Sequence, residues 1–132
     1  MTPELTLLGW TLVLAVVQIL LPAFFRTREY GSKWNAGARD AVMPPPGKLT
    51  GRLERAQRNL FETLPLFAAG VLACHFAGRL GPLTMLGSTL YFWGRVAHLP
   101  LYAFGVPYVR SLAWIISFAG LLMILFALLR PA

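Results

Sequence analysis

The sequence predicts an all-α integral membrane protein built as a four-transmembrane-helix antiparallel bundle. Three observations predict it. Hydrophobic residues make up 57% of the 132 and charged residues 13%, with a mean hydropathy of +0.62, which lies outside the soluble range. Leu5 to Phe25 (21 residues) and Ser111 to Leu129 (19 residues) carry no charge, and a hydrocarbon core takes about 20 residues of helix. Between them, Thr63 to Gly78 and Leu80 to Tyr108 are apolar but reach spanning length only by including polar or charged residues. Two clean spans and two functionalised ones follow, in a single domain covering residues 1–132.

Helix one is expected from Pro3 to Phe25, with Pro22 kinking or ending its last turn. Its start, Met-Thr-Pro-Glu, is not basic and no small-residue cleavage site precedes the basic loop, so the segment reads as a retained helix rather than a signal peptide. The connection from Arg26 to Lys48 contains Gly31, Ser32, Gly37 and the run Pro44-Pro45-Pro46-Gly47, which favour turns and an extended polyproline stretch. A connection of this length serves either as a lid at the edge of a site or as a plain tether. Helix two is expected from Thr50, as N-cap, to Ala77; it is longer than a bilayer needs, so its first turns project from the membrane, with a kink at Pro65. Gly78, Gly81 and Pro82 make a short turn into helix three, Pro82 to Phe104. Gly105 to Pro107 forms the next turn, Pro107 fits the first turn of helix four, and Arg110 and Ser111 stand at that helix's start.

Charge sets the expected orientation. Eight of the twelve Lys and Arg lie between Arg26 and Arg58, so the positive-inside rule puts the Arg26 to Lys48 loop in the cytoplasm and both termini on the opposite side. The net charge of +7 does not come from an aromatic-interleaved basic patch, and no nucleic-acid partner is expected; the bilayer is. Cys74 is the only cysteine, which excludes an intramolecular disulfide and a thiol metal cluster, and no metal site is expected. Cys74 itself reads as a small buried hydrophobe.

Two polar stripes carry the functional signal. Arg55, Arg58, Asn59 and Glu62 are spaced i, i+3, i+4, i+7 and occupy about a third of the helical circumference. Tyr91, Arg95, His98 and Tyr102 on helix three fall within about a sixth of it. Taken singly, each has a structural reading: a solvated helix end, an interfacial aromatic anchor, a satisfied histidine. Taken together, the start of helix two, the end of helix three and the start of helix four share one leaflet, so the stripes can line one cleft with Arg110 and Ser111. Such a cleft holds four arginines, Arg55, Arg58, Arg95 and Arg110, against one carboxylate, Glu62. The surplus positive charge calls for an anionic ligand, with Glu62 neutralising an arginine or meeting an ammonium group.

These residues resemble the MAPEG family, the membrane-associated proteins of eicosanoid and glutathione metabolism, and in particular a bacterial-type member similar to microsomal glutathione transferases. The resemblance is carried by Arg55-Ala-Gln-Arg-Asn-Leu-Phe-Glu-Thr-Leu-Pro-Leu-Phe67, by Arg95-Val-Ala-His-Leu-Pro-Leu-Tyr102, and by Pro107-Tyr-Val-Arg-Ser111. It implies a homotrimer with glutathione as co-substrate, bound between subunits near the cytoplasmic face. Arg55, Arg58, Asn59, Glu62, Arg95, His98 and Tyr102 then bind glutathione; Arg110, beside the sulfur, and Ser111 are the implied catalytic pair. A thiol with a pKa near 8.5 is mostly protonated at neutral pH, and one pKa unit of thiolate stabilisation needs about 1.4 kcal/mol, within reach of a nearby guanidinium. Leu60 follows Asn59 where the family's prostaglandin synthase has an acidic residue, so isomerase chemistry is not implied.

The expected function is a membrane-bound glutathione-dependent transferase or peroxidase of the bacterial inner membrane, acting in detoxification on lipophilic electrophiles. These would enter by an apolar groove bordered by Leu99, Leu112 and Trp114. The competing reading is a non-catalytic binding or scaffold protein with an anion cleft. A proton-coupled exporter is disfavoured because all five acids end by Glu62.

Overall fold

The computed structural model describes residues 1–131, as helices α1 (Pro3–Tyr30), α2 (Ser32–Ala36), α3 (Lys48–Phe76), α4 (Pro82–Ala103) and α5 (Val109–Leu129), with no strand among the described residues. In α1 the Thr2 hydroxyl accepts from the Leu5 N–H at 3.2 Å, and Pro3 sits where a missing N–H costs nothing. Pro22 does not end the helix. A proline removes one intrahelical bond, and here the turns beyond it are held by other contacts: the Thr27 hydroxyl donates to the Ala23 carbonyl, and Arg26 pairs with Glu54 of α3 at 3.0 Å. The expected loop therefore starts at Gly31, not Arg26, and its first part folds as α2, which the sequence reading did not foresee.

Thr50 is not the N-cap of α3 either. Gly47 holds that position, and the cap is supplied by α1: the Glu29 carboxylate accepts from the Gly47 N–H at 2.6 Å and from the Thr50 hydroxyl. A carboxylate suits the positive end of the helix dipole, and this one also ties the end of α1 to the start of α3. The two helices consequently run antiparallel.

Among the long helices, α1, α3 and α5 are long and apolar enough to cross a membrane. The 22-residue α4 has the length, but Thr84, Ser88, Thr89, Tyr91, Arg95 and His98 dilute its apolar character. Its closest partner is α5. A Cβ at Gly120 would lie 2.3 Å from the Gly87 carbonyl, and one at Gly94 2.9 Å from the Ser117 side chain, so glycine at both positions lets the backbones meet.

The core joins Leu8 of α1, Phe67, Val71 and Cys74 of α3, Tyr91 of α4, and Leu121 and Ile124 of α5. Cys74 is buried there, as read from the sequence. Tyr91 is fully buried, its ring stacked on Phe67 at 4.1 Å and its hydroxyl 2.8 Å from that of Thr63, so it belongs to the core and not to an interfacial belt. At the end where α1 starts, the buried Glu4 carboxylate accepts from the Thr84 hydroxyl at 2.9 Å, and Arg79 donates to the Arg130 carbonyl at 2.7 Å.

At the other end, Gly105 (φ 68°) and Tyr108 (φ 63°, ψ −57°) turn the chain from α4 into α5. The Val109 N–H donates to the Pro107 carbonyl at 2.6 Å, closing a three-residue γ-turn at Tyr108. Pro107 thus lies outside α5, because the left-handed backbone at Tyr108 interrupts the helical path.

Candidate functional site

At the end of the molecule where α3 and α5 begin and α4 ends lies a cavity of about 240 Å³, lined by Asn59, His98, Tyr102, Arg110, Ser111 and Trp114. Each helix contributes by its register. Asn59 lies one turn from Arg55 on α3, His98 and Tyr102 are one turn apart on α4, and Trp114 lies one turn beyond Arg110 on α5. The γ-turn at Tyr108 starts α5 at Val109, one residue before Arg110, which places that guanidinium in the first turn.

Arg110 lies over the Tyr102 ring, its Cζ 4.7 Å from the centroid, and the His98 and Tyr102 rings are 5.5 Å apart. The single ion pair among the described residues is Arg26–Glu54, so Arg110 faces the cavity with no carboxylate partner. A guanidinium supported by an aromatic face and free of a counter-anion is poised to take an anionic ligand. His98 is 2% exposed with its Nδ1 unpartnered.

Arg95 occupies a different position. It is 1% exposed and does not line the cavity; its Nη1 donates to Asn59 Oδ1 at 2.8 Å, while Nε and Nη2 have no partner. Arg55, Arg58 and Glu62 lie outside the cavity too, exposed on α3, with the Arg55 guanidinium folded back over Gly51. Of the nine residues read from the sequence, one chain brings Asn59, His98, Tyr102, Arg110 and Ser111 together around one space. Arg95 stands behind that space, and the charged members of the α3 stripe stand beside it.

The expected apolar groove exists with different walls. A cavity of about 290 Å³ between α4 and α5 is lined by Trp93, Gly94, Ala97, Leu101, Val109, Leu112, Ala113 and Ile116. Leu112 belongs to it, Leu99 does not, and Trp114 faces the polar cavity instead. Neighbouring residues of the same helices wall the two spaces: Ala97 and Leu101 face the apolar one, His98 and Tyr102 the polar one.

Two contributors to the polar cavity were not assigned to it from the sequence. Trp114, expected at the apolar groove, was detectable as a polar-cavity residue from its spacing of three and four residues from Ser111 and Arg110. Arg52 packs on Gly105, where a Cβ would come within 2.7 Å of its guanidinium; it supports the turn leading to Arg110. That contact joins residues 53 positions apart, beyond any local pattern.

No curated protein and no solved structure matches the chain. Among known protein families one matches, over residues 7–130, a span that takes in all four long helices almost entirely and every residue of the cavity. The chain therefore belongs to the MAPEG family, and with its long apolar helices it is an integral membrane protein of a family concerned with glutathione and eicosanoid metabolism.

Proposed function

We propose that the protein is a glutathione-dependent transferase or peroxidase that conjugates or reduces lipophilic electrophiles reaching it through the bilayer. The observation that carries this reading is Arg110, held over Tyr102 in the lining of a polar cavity with no carboxylate to pair with. Glutathione is an anionic thiol, and the residues present fit it: Asn59, His98 and Ser111 offer polar contacts, and Arg110 favours the thiolate over the thiol. Once the sulfur is a thiolate it attacks the electrophile without waiting for a base. Ser111, next to Arg110 on the first turn of α5, is placed to donate to the same sulfur or to the leaving group.

Several features favour completion of the site by further copies in a homotrimer. At about 240 Å³ the cavity in one chain is below the roughly 300 Å³ at which small-molecule sites begin. Arg55, Arg58 and Glu62 are exposed beside it, available to a ligand that a neighbouring copy covers. In this reading α4 is a fourth span, since it must return the chain from the end of α3 to the start of α5. Its 22 residues give about 33 Å of helix, enough for the hydrocarbon core. The basic end, from Arg26 to Arg58, faces the cytoplasm of a bacterial inner membrane, where reduced glutathione is available.

Calorimetric titration of the purified protein with glutathione, paired with conjugation of a chromogenic electrophile, tests the proposal. Binding with turnover supports it; binding without turnover makes the protein a non-catalytic binder; no binding at millimolar glutathione ends the reading.

A further inference from the structure

We infer that Arg95 is a positioning residue that fixes the polarity of Asn59, so that the ligand group opposite Asn59 must be a hydrogen-bond acceptor such as a carboxylate or amide carbonyl oxygen. The inference rests on the reading of the cavity as an anionic-thiol site. A carboxamide has two ends of similar shape and opposite hydrogen-bonding character, and either can in principle face a ligand. Here the choice is made by the neighbour. A guanidinium has five donors and no acceptor, so the 2.8 Å contact from Arg95 Nη1 can engage only Oδ1 of Asn59. That leaves Nδ2, which has no protein partner among the described residues, as the end that Asn59 offers to the cavity it lines.

Burial makes the lock effective. Arg95 is 1% exposed, so water does not compete for Asn59 from its side. Its Nε and Nη2 have no partner among the described residues, so the bond to Asn59 is the one side-chain hydrogen bond that the guanidinium makes with them. The two residues, on α4 and α3, therefore act as a unit. Arg95 shapes what the cavity accepts without lining it.

The test uses the full chain in detergent micelles, glutathione as the probe, and Arg95→Met, Asn59→Leu, their double variant and Asn59→Asp. Arg95→Met is expected to weaken binding at least about tenfold, the scale of a charge-assisted hydrogen bond. The double variant should bind within about twofold of Asn59→Leu, because Arg95 acts through Asn59. Asn59→Asp keeps a partner for Arg95 and so keeps thermal stability at or above wild type, yet it loses at least about tenfold in binding by turning an acceptor to the cavity. Losses that multiply in the double variant, or wild-type binding by Asn59→Asp, overturn the inference.

If Arg95→Met does not fold, Arg95→Lys and Arg95→Gln replace it. Lysine donates only and should bind within about threefold of wild type, whereas glutamine can accept from Asn59 and should lose about tenfold; equal binding by the two overturns the inference. If the wild-type protein binds no glutathione, the functional reading fails, and the lock is still tested by thermal unfolding of the same variants without ligand. Non-additive shifts in midpoint support it, and additive ones overturn it.

Discussion

The two ends of this molecule use the same kinds of side chain for opposite purposes. Where α1 and α4 begin, the polar groups answer one another: Glu4 accepts from Thr84, the Thr84 oxygen accepts from the Gly81 N–H at 2.8 Å, and Arg79 donates to the Arg130 carbonyl. Where α4 ends and α5 begins, the donors outnumber their partners. Arg95 has two nitrogens without a bond, His98 has one, and Arg110 rests on an aromatic ring. Buried polar groups cost stability unless matched, so an end whose groups are matched serves the fold and an end whose groups are not has donors to offer a ligand. In a membrane the cost of an unmatched group is greater, because lipid offers no water to complete the set.

Substitutions at the two ends should separate cleanly. The largest effect is expected from Arg110→Ala, which should slow glutathione conjugation roughly 100-fold while leaving the unfolding midpoint near wild type, as for loss of one charge-stabilising donor. If instead the rate holds and stability collapses, Arg110 belongs to the fold and the contrast between the ends disappears. Next comes Gly120→Ala, on the seam that fixes α5 against α4. Its Cβ would meet the Gly87 carbonyl at 2.3 Å and the Tyr91 nitrogen at 2.8 Å, both backbone, so unfolding measurements should show a loss of about 2 kcal/mol. Ligand affinity should fall as well, because the cavity's walls stand on these two helices.

Thr84→Val tests the matched end alone. Removing the donor to buried Glu4 should lower stability by about 1 to 2 kcal/mol and leave glutathione affinity unchanged; a drop in affinity would show that the ends are coupled. The smallest effect is expected from Glu54→Gln. Its pair with Arg26 is partly exposed, with side-chain exposures of 22% and 29%, so no more than about 0.5 kcal/mol should be lost.

The sequence and the structure agree most where the information is periodic. The His98, Tyr102 face and the Arg110-Ser111 pair were legible because each helix repeats its face every three or four residues, and the turns at Gly78 and Gly105 announce themselves. What was not legible depends on contacts between distant segments. Glu29 caps α3 from α1, displacing Thr50 from the role its own neighbours suggested, and Arg26 with Glu54 carries α1 beyond Pro22. Arg95 looked like a ligand contact because it shares a face with His98. Its distance from the cavity is set by Asn59 on another helix, and one-helix periodicity contains no such depth. The exposed Arg55, Arg58 and Glu62 illustrate the converse, a stripe whose pattern is clear and whose partner a single chain does not supply.

The central claim is that the unmatched end holds an anionic thiol and that Arg110 keeps it ionised. Ultraviolet absorbance of thiolate, followed while glutathione is titrated into the protein at neutral pH, tests this most directly. The account predicts that thiolate signal grows to saturation with bound glutathione in the wild-type protein and is lost in Arg110→Ala, although free glutathione ionises only near pH 8.5. Saturable binding with no thiolate signal, or a signal that persists in Arg110→Ala, would contradict it.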